Sequence, residues 1–256
     1  MELFYKKLGE ESYGEPLIIV HGLFGSSDNW HSLGKKFAKD YTVFLVDQRN
    51  HGRSPHSAEH SYELMADDLL ELIRNENLIS VNLLGHSMGG KTVMKFAEQY
   101  GEMVNKLIVA DIGPKAYKPH HDIILEALAS IKPKDFSSRK DAGKVLAERI
   151  ENPSIRQFLL KNLYWKTPDE LAWRMNVDVL VSTMKNILAA VPTLTVDSET
   201  LFIRGSKSEY IQDNDLEIIN YLFPNSKIKT IQDVGHWLHA EAPKEFFDIV
   251  IDFLEE

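Results

Sequence analysis

The chain has 256 residues, a net charge of −9 and no cysteine, which fits one α/β domain with room for an insertion and a full apolar core. The acidic balance argues against nucleic acid as a partner, because phosphate binding relies on clustered Lys and Arg. The missing cysteines exclude disulfides, thiolate metal sites and a cysteine nucleophile. No apolar run approaches the roughly 20 residues of a membrane span, and MELFYKKLGE at the N-terminus lacks a basic-then-apolar signal pattern. A cytoplasmic protein without a membrane span is expected.

Six short runs rich in Val, Ile and Leu follow one another along the chain: PLIIVHG, YTVFLVD, SVNLLGHS, KLIVADIGP, TLFIRGS and IKTIQDVGH. Each is too short for a helix and reads as a strand covered on both faces. The segments between them are amphipathic: Met65, Leu69, Leu72 and Ile73 share one helical face, as do Phe246, Phe247, Val250, Ile251 and Leu254 behind Pro243. Such alternation predicts an α/β fold with a mostly parallel sheet flanked by helices.

The alternation breaks once. Residues 114–197 contain several helix-like segments and no convincing strand. Helix starts are marked by Asn152-Pro153 and by Thr167-Pro168-Asp169-Glu170, where Thr167 and Glu170 fit a capping box. This stretch reads as a helical cap insertion before the last two strands, leaving 1–113 and 198–256 as the core. Phe158, Tyr164, Trp165, Trp173 and Met175 give it bulk, either as plain core or as the lining of an acyl pocket.

Gly85-His86-Ser87-Met88-Gly89 fits G-x-S-x-G and falls between a strand and a helix, where that pattern needs to be. A serine on so tight a turn projects its hydroxyl, and side chains at Gly85 and Gly89 would clash across the turn. In VHGLFGSSDNW the loop after His21-Gly22 turns back over the strand ends, so the Leu23 N–H can join the Met88 N–H as an oxyanion hole. Asp47 and Arg49, in DQRNHGRS, read as a loop-bracing pair.

A serine hydroxyl needs a neighbouring base, and His236 in VGHWLHAEAP, on the loop before the final helix, is the best placed of ten histidines. His239, three residues on, would suggest a metal pair, but no carboxylate spacing supports it; neither metal nor cofactor is expected. His51, His56, His60, His120 and His121 read as loop or surface residues.

Taken together, HGLFGS, DQRNHGRS, GHSMGG and GHWLHAEAP, in this order and spacing, resemble the α/β-hydrolase family, and within it the YbfF-type acyl esterases and their eukaryotic abhydrolase relatives. The resemblance spans nearly the whole chain and is weakest in the insertion. It implies an eight-stranded sheet under a helical cap, Ser87 as nucleophile, His236 as base, and Leu23 and Met88 as backbone donors.

The acid departs from the common pattern. Its usual place, after TLFIRGS, holds Ser208, which cannot carry the negative charge that balances an imidazolium. Asp111 at the end of KLIVAD is favoured, because ligand-facing groups of open α/β sheets gather at such strand ends. The resemblance points the same way, since YbfF-type esterases look like hydrolases whose acid sits on the earlier strand. Glu209 and Asp233 remain alternatives. The expected activity is hydrolysis of a small-molecule acyl ester or thioester through a Ser-His-Asp triad and an acyl-enzyme. A C–C lyase or synthase of the menaquinone-pathway type, or a non-catalytic receptor, would use the same scaffold.

Overall fold

The computed structural model describes residues 1–9, 14–119 and 122–256; His120 and His121 lie outside the described residues. Nine strands are present among them: β1 (Tyr5–Leu8), β2 (Leu17–Val20), β3 (Val43–Val46), β4 (Val81–His86), β5 (Val104–Ala110), β6 (Leu163–Thr167), β7 (Glu170–Trp173), β8 (Glu199–Gly205) and β9 (Ser226–Ile231). The helices important here are α1 (His31–Phe37), α2 (Tyr62–Asn75), α3 (Met88–Tyr100), α4 (Asp122–Ser130), α5 (Arg139–Ala147), α6 (Pro153–Leu160), α7 (Val177–Ser182), α8 (Met184–Ile187), α9 (Leu216–Leu222), α10 (Leu238–Glu241) and α11 (Pro243–Glu255).

All six apolar runs form strands of one sheet, ordered β1-β3-β2-β4-β5-β8-β9. Every neighbouring pair is parallel except β1 with β3. Period-two alternation divides each strand between two cores. Ile18 and Val20 join α2, α3 and α9 on one face; Leu17 and Ile19 join α1 and α11 on the other. The predicted face of α2 is buried, with Met65, Leu69, Leu72 and Ile73 all inside; on α11, Phe246 and Val250 are buried together with Phe253, whereas Phe247, Ile251 and Leu254 are half-buried.

The sheet has seven strands among the described residues, not the eight that the resemblance implied. At its β1 edge the Met1 amine pairs with Asp68 and Glu71 of α2.

Between β5 and β8 lie α4 to α8 and also an antiparallel hairpin of β6 and β7, where the sequence offered no convincing strand. Asn152 does cap α6, with Pro153 in its first turn. Thr167 to Glu170 is not a helix start; it is the hairpin's turn. Tyr164 and Trp165 favour a pleated surface, and Leu163 and Leu171 bury its inner side, so packing overrides the local capping signal.

Leu125, Leu128, Leu146, Leu159 and Leu180 give this segment its own apolar cluster, which Met88 and Phe24 of the sheet's loops also enter. Polar ties fix it further. Asn162 donates to the Phe24 carbonyl (2.8 Å), and the Tyr62 hydroxyl donates to the Ile187 carbonyl (2.7 Å). Buried Lys91 of α3 donates to the carbonyls of Lys115 and Ala189, one at each end of the segment. Met175 is core, Tyr164 and Trp173 are half-buried, and Trp165 is exposed. Among the described residues no helix is long and apolar enough to cross a membrane.

Candidate active site

The candidate groups arrive at the C-terminal ends of neighbouring parallel strands. Ser87 follows β4, Asp111 follows β5, Leu23 lies beyond β2 and His236 beyond β9. His86 is in register with Ala110, so Ser87 and Asp111 occupy matching positions one strand apart, about 5 Å in a sheet. The Ser87 N–H donates to the Ala110 carbonyl (3.0 Å), and the Asp111 N–H to that of Ile203 (2.8 Å).

Both residues have positive φ, 53° at Ser87 and 50° at Asp111. The turn at Ser87 closes only because its flanks are bare. A Cβ on Gly85 would stand 2.2 Å from the Gly89 carbonyl oxygen; one on Gly89 would stand 2.3 Å from the Val20 oxygen of the adjacent strand. The clash expected across the turn is real for Gly85, while for Gly89 the obstacle is β2. Met88, first residue of α3, carries one of the N–H groups for which a helix has no internal acceptor.

His236 Nδ1 lies 2.7 Å from Asp111 Oδ2. Asp111 is fully buried and accepts three hydrogen bonds: from His236, from the Ser208 hydroxyl on the same Oδ2, and from the Gly205 N–H on Oδ1 (3.1 Å). A carboxylate can only accept, so Nδ1 of His236 carries a proton and donates it to Asp111. Glu209 is exposed, and Asp233 is exposed and pairs with Lys207. Of the three carboxylates weighed, the structure brings Asp111 alone to the histidine.

Tyr210 stacks on the His236 ring, centroids 3.9 Å apart and planes at 18°. Its backbone is held by the Tyr117 hydroxyl, which donates to the Tyr210 carbonyl (2.7 Å). Burial and the Asp111 charge push the Tyr210 phenol up to about 12, so it stays neutral. Three imidazoles lie behind the site. His239 stacks on buried Trp30 (4.2 Å, 14°) and meets His86 edge-on (4.6 Å). Burial lowers His86 well below its ordinary value and takes His239 down to about 3. His21, also buried, is lowered despite the nearby Asp47 charge.

Asp47 and Arg49 both brace loops, though with other partners than each other. Asp47 accepts from the Ser27 and Arg53 N–H groups (2.6 and 2.8 Å). Arg49 forks onto buried Asp68 of α2 (2.6 and 2.8 Å), because the Asp47 oxygens are taken up by that loop. His51 and His60 do lie in this region's loops, yet both are buried rather than exposed.

Ser87, His236 and Leu23 line one cavity of about 770 Å³. One wall is apolar, with Ile124, Ile155, Phe158 and Leu159 from the segment between β5 and β8; Asn29, Gln157, Lys161 and Glu241 are polar members of its lining. Phe158 meets Trp237, the neighbour of His236, at 5.8 Å. A second cavity, of about 800 Å³ beside Tyr117, Leu125 and Leu188, holds none of these groups. Among the described residues no cluster of three His, Asp or Glu side chains is placed to hold a metal. Ser208, Tyr210 and His86 escaped the sequence reading as site residues. The one signal was Ser208's own position, where an acid is normally found.

This fold and this set of strand-end groups define an α/β hydrolase, and the chain belongs to that family: residues 15–243 match the alpha/beta hydrolase fold. Among its relatives are the mouse sn-1-specific diacylglycerol lipase ABHD11, 37% identical with 99% of this chain and 85% of that protein covered, and the Escherichia coli esterase YbfF, 32% identical over 94% of this chain and 93% of that one. A solved marine microorganism esterase is 44% identical, with a TM-score of 0.96 and 99% of each chain covered.

Proposed function

We propose that this carboxylic ester hydrolase cleaves acyl esters or thioesters through a Ser87–His236–Asp111 relay and an acyl-enzyme. Ser87 Oγ attacks the acyl carbonyl as His236 Nε2 takes its proton. The carbonyl oxygen, now negative, is met by the Leu23 and Met88 N–H groups. Collapse breaks the bond to the alcohol or thiol, which leaves with the proton from His236. Water, deprotonated by His236, then attacks the acyl-enzyme; collapse breaks the Ser87 Oγ–acyl bond, His236 returns the proton to Ser87 Oγ, and the carboxylic acid departs. Asp111 fixes the tautomer and balances the imidazolium. Residues 114–197 act as a cap whose apolar wall receives the acyl chain.

The observation that carries this reading is the 2.7 Å contact between a fully buried carboxylate and His236, which lines the same cavity as Ser87. The esterase and lipase names of the full-length relatives support it. The test is turnover of p-nitrophenyl and acyl thioester substrates together with fluorophosphonate labelling. Ser87→Ala and His236→Ala should each lower kcat by about 10²–10⁴-fold or more with the fold intact, and Ser87→Ala should abolish labelling. Retained esterase activity in Ser87→Ala would sink the mechanism. Labelling without turnover across the panel would favour a C–C lyase using the same groups.

A further inference from the structure

His86 occupies the second position of G-x-S-x-G and has no part in the steps above. Its Nε2 lies 2.8 Å from the main-chain carbonyl oxygen of His236, so it must carry a proton there and donate it. Its ring centroid is 4.7 Å from that of His236. On the opposite flank, a Cβ on Gly22, the residue before Leu23, would stand 2.9 Å from His86 Nδ1. One buried side chain thus touches the base's loop and the oxyanion loop while being covalently next to Ser87. His239, backed by Trp30, closes the remaining side.

We propose that His86 is a positioning residue, whose Nε2–H bond to the His236 carbonyl, with its ring packed on Gly22, sets base and oxyanion loop relative to Ser87. The inference rests on His236 being the base. The His236 side chain is oriented at its far end by Asp111, but a ring is a lever with two supports. Its Cα position comes from a loop, five residues past the end of β9, which the His86 bond ties to β4. An uncharged donor is required here, since an imidazolium at 4.7 Å would oppose proton uptake by His236; burial of His86 keeps it neutral.

The experiment compares His86→Gln, whose amide N–H reaches the Nε2 position, with His86→Met, which fills similar volume and donates nothing. His86→Met should lose about ten- to a hundredfold in kcat with KM nearly unchanged, while His86→Gln recovers most of it. Equal activity in the two variants, whether high or low, overturns the proposal, because it removes the role of the donor. In ¹⁵N-histidine-labelled wild-type protein, His86 should remain the neutral Nε2–H tautomer from about pH 5.5 to 9; an Nδ1–H tautomer or a titrating His86 overturns it irrespective of how the variants fold. His236→Ala serves as the control: if it retains turnover, the proposed base is wrong, whereas an inactive His236→Ala with an indifferent His86→Met rejects the present inference alone.

Discussion

The strand ends and the β5–β8 segment contribute to the cavity in different ways. From the sheet come groups fixed by main chain: Ser87 anchored to Ala110, Asp111 to Ile203 and Gly205, and a helix start at Met88. From the segment come Ile124, Ile155, Phe158 and Leu159, with polar Gln157 and Lys161, on helices held by their own apolar cluster and a few polar ties. On the proposed mechanism, chemistry is therefore set by backbone hydrogen bonding that substitution cannot easily move. Selectivity, on the same reading, is set by side chains that substitution can readily exchange.

The comparison would break first at the acid. Asp111→Asn should lower kcat by about 10²–10⁴-fold, because the amide stabilises the wrong imidazole tautomer and no imidazolium, whereas Glu209→Gln should leave kcat unchanged within error. The reverse order would move the acid to β8.

A smaller effect is expected from the apolar wall. Phe158→Ala should lower kcat/KM about tenfold for an octanoyl ester and far less for an acetyl ester, in keeping with the loss of a few buried methylene contacts. An equal loss for both chain lengths would mean that Phe158 supports the base loop through Trp237 and does not read the acyl chain.

A third outcome, read in stability and not in turnover, concerns the tie between the two regions. Burial, with the Lys115 charge adding to it, brings Lys91 down to about 7 from its ordinary 10.5. Between those values the unfolded chain holds a proton that the folded one lacks, so this group's contribution to stability increases as pH rises through the window. The gain is complete above the unfolded value and is lost as pH falls through about 7. Relative to Lys91→Met, wild type should therefore gain on the order of a few kcal/mol of unfolding free energy between about pH 7 and 10. Urea titrations at both pH values measure the difference; a constant difference would show that Lys91 keeps its proton.

Much of this was legible in the sequence for a physical reason. Both-face burial writes unbroken Val, Ile and Leu runs, and a strained turn demands Gly85 and Gly89. Asp111 could be found because it ends one of those runs. The hairpin could not, since Thr167-Pro168-Asp169-Glu170 suits a helix start as well as a turn and only the packing of Leu163 and Leu171 decides. The Arg49–Asp68 pair and the His86–His236 bond join residues 19 and 150 positions apart; the second ends on a main-chain carbonyl, which leaves no mark on composition.

The bend at Asp111 has a consequence for which acid can serve. At φ 50° a side chain crowds its own backbone, and among residues with a Cβ, Asp and Asn tolerate that conformation best, because their short polar groups bond locally. Glutamate has the same charge but no such tolerance, and its extra methylene would push the carboxylate past the Gly205 N–H and Ser208 hydroxyl that receive it. With the acid at the end of β5, as proposed, the positive φ there narrows the alphabet at that site to a single charged letter.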